Sequence, residues 1–198
     1  MTDAYDWDLA YKNRDFEHWE LNCPAPELSA LVAAGFFGKR ARILDVGCGG
    51  GLDSIFLAEN GFNVIGVDIS SAALKISKKR AAKAHVKVDW RLGSVLELPV
   101  EDETIDFVTD RGLFHLVEDR DRPKYSSEVH RVLRLHGRVV LRGASKESAF
   151  KDRFNPVTKE AMEKFFSSKF EIGPVVAFPM FSIVGVMEGK IVVLEKVR

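Results

Sequence analysis

Cysteine is scarce in this chain, neither sign of charge predominates, and no apolar run nears the length of a membrane span. Each shortage excludes something. The two cysteines, Cys23 and Cys48, cannot build a disulfide framework. Lys plus Arg and Asp plus Glu each number 29, so the basic excess that marks a large nucleic-acid footprint is missing. Apolar stretches stay well short of the ~20 residues that a spanning helix needs. The acidic opening, residues 1–6, lacks the apolar core of a signal peptide. A cytoplasmic chain is therefore expected, with no membrane or nucleic-acid partner. No His, Cys, Asp or Glu group has metal-ligand spacing, so no metal is expected either. Repeats, low-complexity tracts and linkers are also wanting. With 198 residues, the chain is expected to form one domain (1–198) large enough for a real core.

What is present is concentrated in Ile43-Leu44-Asp45-Val46-Gly47-Cys48-Gly49-Gly50-Gly51. A buried strand runs into a glycine loop, and residues 52–60 follow as a helix. Glycine is needed where the backbone turns sharply and a Cβ would collide with a ligand. A dinucleotide fingerprint would require glycine at position 52, where Leu52 stands. The spacing is G-x-G-x-G instead, with Asp45 two residues before its first glycine. Cys48 reads as a small loop filler rather than a nucleophile. Residues 63–68 form a second strand ending in Asp68, about twenty residues past the glycines, the separation at which a βαβ unit returns a carboxylate to a ribose.

Further along, Pro26 opens a helix over 27–37, and Ser70 or Ser71 caps one over 72–84. A third is expected over 123–135, broken by Gly137, and Thr158 caps a fourth ending near Phe166. Strands are expected at 86–91, 105–109, 138–142, 175–178 and 183–193. Alternation of this kind implies a mostly parallel sheet with helices on both faces and an antiparallel edge. The cations of the second helix (Lys75, Lys78, Lys79, Arg80, Lys83) fit a solvated face. Residues 1–22 form an aromatic, acidic leader holding Tyr5, Trp7, Tyr11, Phe16 and Trp19, ahead of a core at 23–198.

The ordered set from Asp45 to Asp68 resembles motif I and its surroundings in the class I S-adenosylmethionine-dependent methyltransferases. That resemblance implies a Rossmann-like, seven-stranded α/β sheet with an antiparallel closing strand, and S-adenosyl-L-methionine as cofactor. The segment 91–99 looks like the one that cradles adenine, with Ser94 where many relatives carry a carboxylate and the Val95 amide free to meet the ring. Segments 101–108 and 129–138 look like the approaches to strands four and five, with Leu135-His136 where proline and glycine are usual. Asp110-Arg111-Gly112, taken with Trp7-Asp8 and Tyr11, is similar to the thiopurine, tellurite and halide branch, whose members methylate small, soft nucleophiles.

The resemblance implies a cofactor site of Asp45, Gly47, Cys48, Gly49, Gly51, Asp68, Ile69, Ser94, Val95, Asp110 and Trp19. It places Asp110, Arg111 and His115 on the acceptor side. Arg111 could attract an anionic acceptor, and His115 could accept a proton near neutral pH. Bracing roles are equally open to all three. The leader would be a lid. The partner is a small-molecule acceptor whose accepting atom (S, Se, Te, halide, N or O) stays open, as does monomer against homodimer. The alternatives are a nicotinamide-dependent oxidoreductase and a binding module without chemistry.

Overall fold

The computed structural model describes residues 5–147, 154–182 and 185–197. Its first five strands are β1 (Arg42–Val46), β2 (Asn63–Asp68), β3 (Asp89–Leu92), β4 (Ile105–Arg111) and β5 (Leu133–Ala144). They pair in parallel, in the order β3-β2-β1-β4-β5. Three more follow: β6 (Phe170–Ile172), β7 (Val176–Ser182) and β8 (Gly185–Lys196). β8 runs antiparallel to β5, and β6 and β7 are antiparallel to β8. Both lie on the β8 edge away from β5, because β8 residues 189–191 and 194–195 pair with β5 at the same time. Eight strands thus fill seven positions, the outermost one interrupted at residues 173–175. This is the mostly parallel sheet with an antiparallel closing strand that the sequence implies.

The helices are α1 (Trp7–Lys12), α2 (Pro26–Ala33), α3 (Leu52–Glu59), α4 (Ser71–Lys83), α5 (Arg122–Val132) and α6 (Lys159–Phe166). Local chemistry sets their starts. Pro26 occupies the first turn of α2. The Ser70 hydroxyl accepts from the Ala73 amide, and the Thr158 hydroxyl from the Ala161 amide. On one face of the sheet, Leu28 of α2 and Leu57 of α3 pack with Ile43, Val64 and Val140. On the other, Tyr125, Val129 and Val132 of α5 and Met162 and Phe166 of α6 cover Leu44, Val108 and Leu141. Strand alternation explains the division, since neighbouring residues of β1 and β5 serve opposite faces. Burial of each such side chain is worth about 1.5–3 kcal/mol.

Several expectations need correction. α2 stops at Ala33 rather than 37, and β3 spans 89–92 rather than 86–91. α5 stops at Val132 rather than 135, and Leu133 already pairs with Ile105. The register then jumps to Phe107 opposite Arg138, so residues 134–137 bulge outward, with His136 at φ 62° and Leu135 exposed. Leu135, expected at the end of that helix, is 56% exposed on the bulge. β6 was not expected at all, because three residues carry too little alternation to read. The expected final strand begins at residues outside the described set and is observed from Gly185. Among the described residues, no helix is long and apolar enough to cross a membrane.

The packing beneath the glycine loop yields a stability test. A Cβ on Gly51 (φ +79°) would lie 2.5 Å from the Trp90 ring and 2.7 Å from Ser77 Cβ. Gly51→Ala should cost about 2–4 kcal/mol, overpacking added to left-handed strain. Gly38→Ala, at φ +67° with open space around it, should cost about 1 kcal/mol. Urea denaturation of both variants checks this; equal losses would mean that Trp90 and Ser77 yield freely.

Candidate active site

The site begins where β1 ends. Gly47, Gly49 and Gly51 all hold positive φ, turning the chain from strand into α3. Each is glycine for its own reason. A Cβ at Gly47 would press on Leu113 at 3.1 Å, and one at Gly49 would collide with the Tyr11 hydroxyl. One at Gly50 would collide with Glu20 and Arg80. Much of this crowding comes from the chain itself. Gly51 does not line the cleft, which corrects its expected place among ligand contacts: it lets α4 and Trp90 pack beneath the loop.

Asp68 closes β2 and is buried. Its Oδ2 accepts from the Gly49 amide at 2.8 Å and its Oδ1 from the Ser70 amide at 2.8 Å. Each oxygen keeps a further lone pair. Burial raises the carboxyl pKa despite the Ser70, Gly49 and Ile69 amides. Ile69 follows, exposed on the cleft wall, and Ser94 and Val95 face the same space. The Ser94 hydroxyl already accepts from the Leu96 amide at 3.1 Å, which leaves its proton to donate. Cys48 also lines the cleft, with a thiol held well above its ordinary pKa by burial, then by Asp45 and Asp68. That is the wrong direction for a nucleophile.

Asp45 lies under the loop, accepting from the Ser54 hydroxyl at 2.5 Å. Burial and the neighbouring Asp53 carboxylate push its pKa up to about 7. Asp53 accepts from the Ala25 amide at 2.9 Å and from Arg142 at 3.2 Å. Arg142 is fully buried and also donates to Thr109 at 2.6 Å and to Glu27 at 3.3 Å. Nothing in the sequence reading singled out this cluster. Its one signal is a second arginine, Arg142, ending an otherwise apolar strand.

The three acceptor-side residues stand in different places, and only Asp110 is outside the cleft. Asp110 is fully buried and does not line the cleft; it accepts from the Leu113 and Phe114 amides at 2.9 and 3.0 Å and from the Tyr125 hydroxyl at 2.7 Å. It braces the turn after β4, and burial raises its pKa to about 6. Arg111 does line the cleft, but Glu27 takes its Nε at 3.0 Å and the Phe181 carbonyl its Nη2 at 2.6 Å. That leaves little field for an anion. His115 also lines the cleft, with Nδ1 accepting from the Ala144 amide at 2.8 Å, which puts the proton of the neutral ring on Nε2. Burial, then Arg122 and Arg111, lower its pKa to about 3. It can donate a hydrogen bond; it is no base at neutral pH.

The leader closes the cleft from above. Glu20 accepts from the Gly50 amide at 2.9 Å and pairs with Arg80 at 2.7 Å, while Arg80 donates to the Gly50 carbonyl at 3.0 Å. Asp8 accepts from the Ala72 amide at the start of α4 at 2.8 Å and from the hydroxyls of Ser70 and Ser71. Buried Tyr11 stacks on Phe16, and the Trp19 indole donates to the Tyr11 hydroxyl. Trp19 stands edge-on to Trp7 with ring centroids 5.9 Å apart. Between the leader, the strand ends and the β7–β8 hairpin lies a cleft of about 1120 Å³. Met180, Phe181, Met187 and Phe154 line its far end, opposite Asp68 and Ile69 at the other. Among the described residues, no group of three or more His, Cys, Asp or Glu could hold a metal ion.

With this geometry in place, the likenesses to known proteins can be read. A family model described as a methyltransferase domain matches residues 43–137. The demethylmenaquinone methyltransferase of Symbiobacterium thermophilum is 38% identical over 122 residues, covering 59% of this chain and 47% of that protein. An arsenite methyltransferase of Halobacterium salinarum is 30% identical over 153 residues, covering 75% and 37% respectively. The chain thus spans about half the length, or less, of these curated relatives. Among solved structures, one described by the conversion of a disulfide bond into a thioacetal group during echinomycin biosynthesis superposes with a TM-score of 0.84 at 20% identity. It covers 96% of this chain and 91% of that one. That likeness establishes the fold, a Rossmann-like methyltransferase sheet.

His115 carries a titration test. Its folded pKa lies below its unfolded value, so the folded state resists protonation, and stability is lost as pH falls from about 6.5 toward 3. By NMR, the His115 Cε1 resonance should stay flat from pH 8 to 5. A midpoint near 6.5 would restore His115 as a candidate base.

Proposed function

We propose, on the premise that residues 43–137 are a methyltransferase domain of the S-adenosylmethionine-dependent class, that this chain transfers a methyl group from S-adenosylmethionine to a small-molecule acceptor with a soft nucleophilic atom. The observation that carries the cofactor reading is Asp68, which lines the cleft across from the glycine loop with lone pairs to spare for two ribose hydroxyls. Ile69 supplies an apolar surface for the base, and Ser94 and the Val95 amide supply polar groups beside it. Gly47, Gly49 and Cys48 form the floor, and Asp45 and Asp53, which line the same cleft, would hold the aminobutyryl end. Bound there, the cofactor supplies an electrophilic methyl group.

The chain's own contribution is positional. A cleft shielded by the leader can hold the acceptor atom opposite the sulfonium and exclude water. Soft acceptors are favoured by Met180, Met187 and the aromatic rings at the far end, which offer polarisable surface rather than hydrogen bonds. Of the two relatives above, one is named for arsenite, a soft acceptor, and the other for demethylmenaquinone. A nicotinamide reading is opposed by Leu52, which lines the cleft, and by Asp53. That carboxylate sits in the first turn of α3, where a pyrophosphate would have to bind.

Calorimetry should detect tight binding of S-adenosylmethionine and S-adenosylhomocysteine, with none for NAD or FAD. Asp68→Ala should weaken that binding by one to two decades, the loss of roughly 1.5–3 kcal/mol from charged hydrogen bonds. Preference for NAD would end this reading.

The leader is proposed as a lid. Glu20, Arg80 and Asp8 tie it to the glycine loop and to α4, all at partly exposed positions that can release. Limited proteolysis should cut within residues 5–22 of the free chain and be suppressed by S-adenosylhomocysteine. Deleting residues 1–22 should lower turnover while the sheet stays folded. Cleavage indifferent to ligand, together with full activity of the truncated chain, would make the leader a fixed wall.

A further inference from the structure

We infer that the acceptor is an uncharged thioether or selenoether, which leaves the cleft as an onium cation. This inference rests on the cofactor reading above and narrows its acceptor. Three features of the cleft combine to carry it.

The first is charge. Seven carboxylates line the cleft against one guanidinium, that of Arg111, although the whole chain is electrically balanced. Arg80 and Arg142, behind the wall, offset Glu20 and Asp53, and Arg120 offsets Glu118 at the rim. Asp15 and Asp68 remain; Asp45, its pKa pushed up to about 7, adds a partial charge, Arg120 also reaches Asp121 at 3.6 Å, and Arg111 is itself spent on Glu27. A negative cleft attracts cations and repels anions. Iodide, tellurite or a thiolate would enter against this field. A neutral acceptor would not, and a cationic product would be stabilised.

Proton chemistry is the second. A thiol, phenol or protonated amine must lose a proton to react, and the imidazole beside Met180 at the far end of the cleft is not free to take it; Asp15 and His18 line the leader side instead. His115 has its Nδ1 lone pair on the Ala144 amide, and Asp110 is sealed behind the wall by three donors. Asp68, Glu20 and Asp53 are each held by two donors. A thioether presents its lone pair directly. In the transfer, a sulfur–methyl bond forms on the acceptor as the donor's methyl–sulfur bond breaks, its electron pair staying on the donor sulfur. One sulfonium is consumed, one is made, and no proton is released.

The third is an aromatic corner. Trp7 and Trp19 stand at 88° to each other with centroids 5.9 Å apart, and Tyr5 adds a further face 4.5 Å from Trp7; all three line the cleft. Perpendicular indole faces beside carboxylates are the setting in which methylated onium ions are held by cation–π attraction. The leader that would close over the reaction is thus itself suited to the product's charge.

The test uses the full chain with S-adenosylmethionine and, as separate acceptors, dimethyl sulfide, dimethyl selenide, iodide, hydrosulfide and a phenol. Products are identified by mass spectrometry and proton release is followed with an indicator dye. Dimethyl sulfide or dimethyl selenide should give the highest kcat/KM, at least about tenfold above iodide, with no proton released per turnover. In a separate binding measurement, trimethylsulfonium should bind the chain saturated with S-adenosylhomocysteine. Trp7→Ala should weaken that binding by about tenfold and Trp7→Phe much less, with S-adenosylhomocysteine affinity reporting that each variant is folded. Preference for iodide or hydrosulfide, no turnover of either ether, or trimethylsulfonium binding indifferent to Trp7 would overturn the inference while leaving the cofactor reading intact. Failure of the wild-type chain to bind S-adenosylhomocysteine would overturn the cofactor reading itself.

Discussion

The backbone of Gly49 and Gly50 is the point on which the rest of the site depends. Three separate parts of the chain hydrogen-bond to these two residues: Asp68 from the end of β2, Glu20 from the leader and Arg80 from α4. Peptide groups in a left-handed turn cannot satisfy one another as those of a helix do, so they are available to partners from outside. The glycines make this possible sterically, since a side chain at either position would strike Tyr11, Glu20 or Arg80. One short loop therefore sets the distance between the Asp68 carboxylate, the leader and α4. The usual account of such a loop, that glycine makes room for a ligand, covers half of what this one does. The other half is making room for the protein.

A second constraint works one layer down. Arg142, Glu27, Asp53 and Arg111 tie β5, α2, α3 and β4 together in surroundings where an unpaired charge would be costly. Buried ion clusters of this kind add little net stability, but they discriminate strongly among arrangements, because only one set of positions pairs every charge. Here they hold the C-terminal ends of the central strands in register with the helices that frame the cleft. They also consume Arg111, the cation that sequence alone would assign to an anionic acceptor. A residue's charge is legible in a sequence; whether that charge is already spent is not.

That distinction separates what could be read beforehand from what could not. Strand, turn and helix alternation through residues 42–83 was legible because glycine, Ser70 and the apolar periods act locally. The caps at Ser70 and Thr158 are local as well. α5 ran short because Leu133 answered to Ile105, a partner distant in sequence, rather than to its own helix. Asp110 misled for a similar reason. It stands where a strand end meets the site, but alternation turns it to the face covered by Tyr125, while Thr109 and Arg111 take the other. Counting residues outward from the inward-facing Val108 would have found this, and strand parity deserved more weight than proximity to a motif.

The leader shows how composition can be right about location and incomplete about purpose. So many aromatic residues in an acidic stretch pointed to burial against the rest of the protein, and Tyr11 and Phe16 are indeed buried. The acidic residues looked incidental, yet Asp8 and Glu20 are what fasten the leader down, each to a peptide N–H at an element's start. The same fastening places Trp7 and Trp19 on the cleft wall. Closing the leader brings Asp15 to a wall that already carries Asp68, while Arg80 and Arg142 offset Glu20 and Asp53, so closure concentrates negative charge in a confined space. Without a cation inside, that concentration opposes closure; with one inside, the cation offsets it. A positively charged ligand therefore does more than fill the cleft: its charge favours the closed arrangement, and the electrostatics that bind it also shut out water.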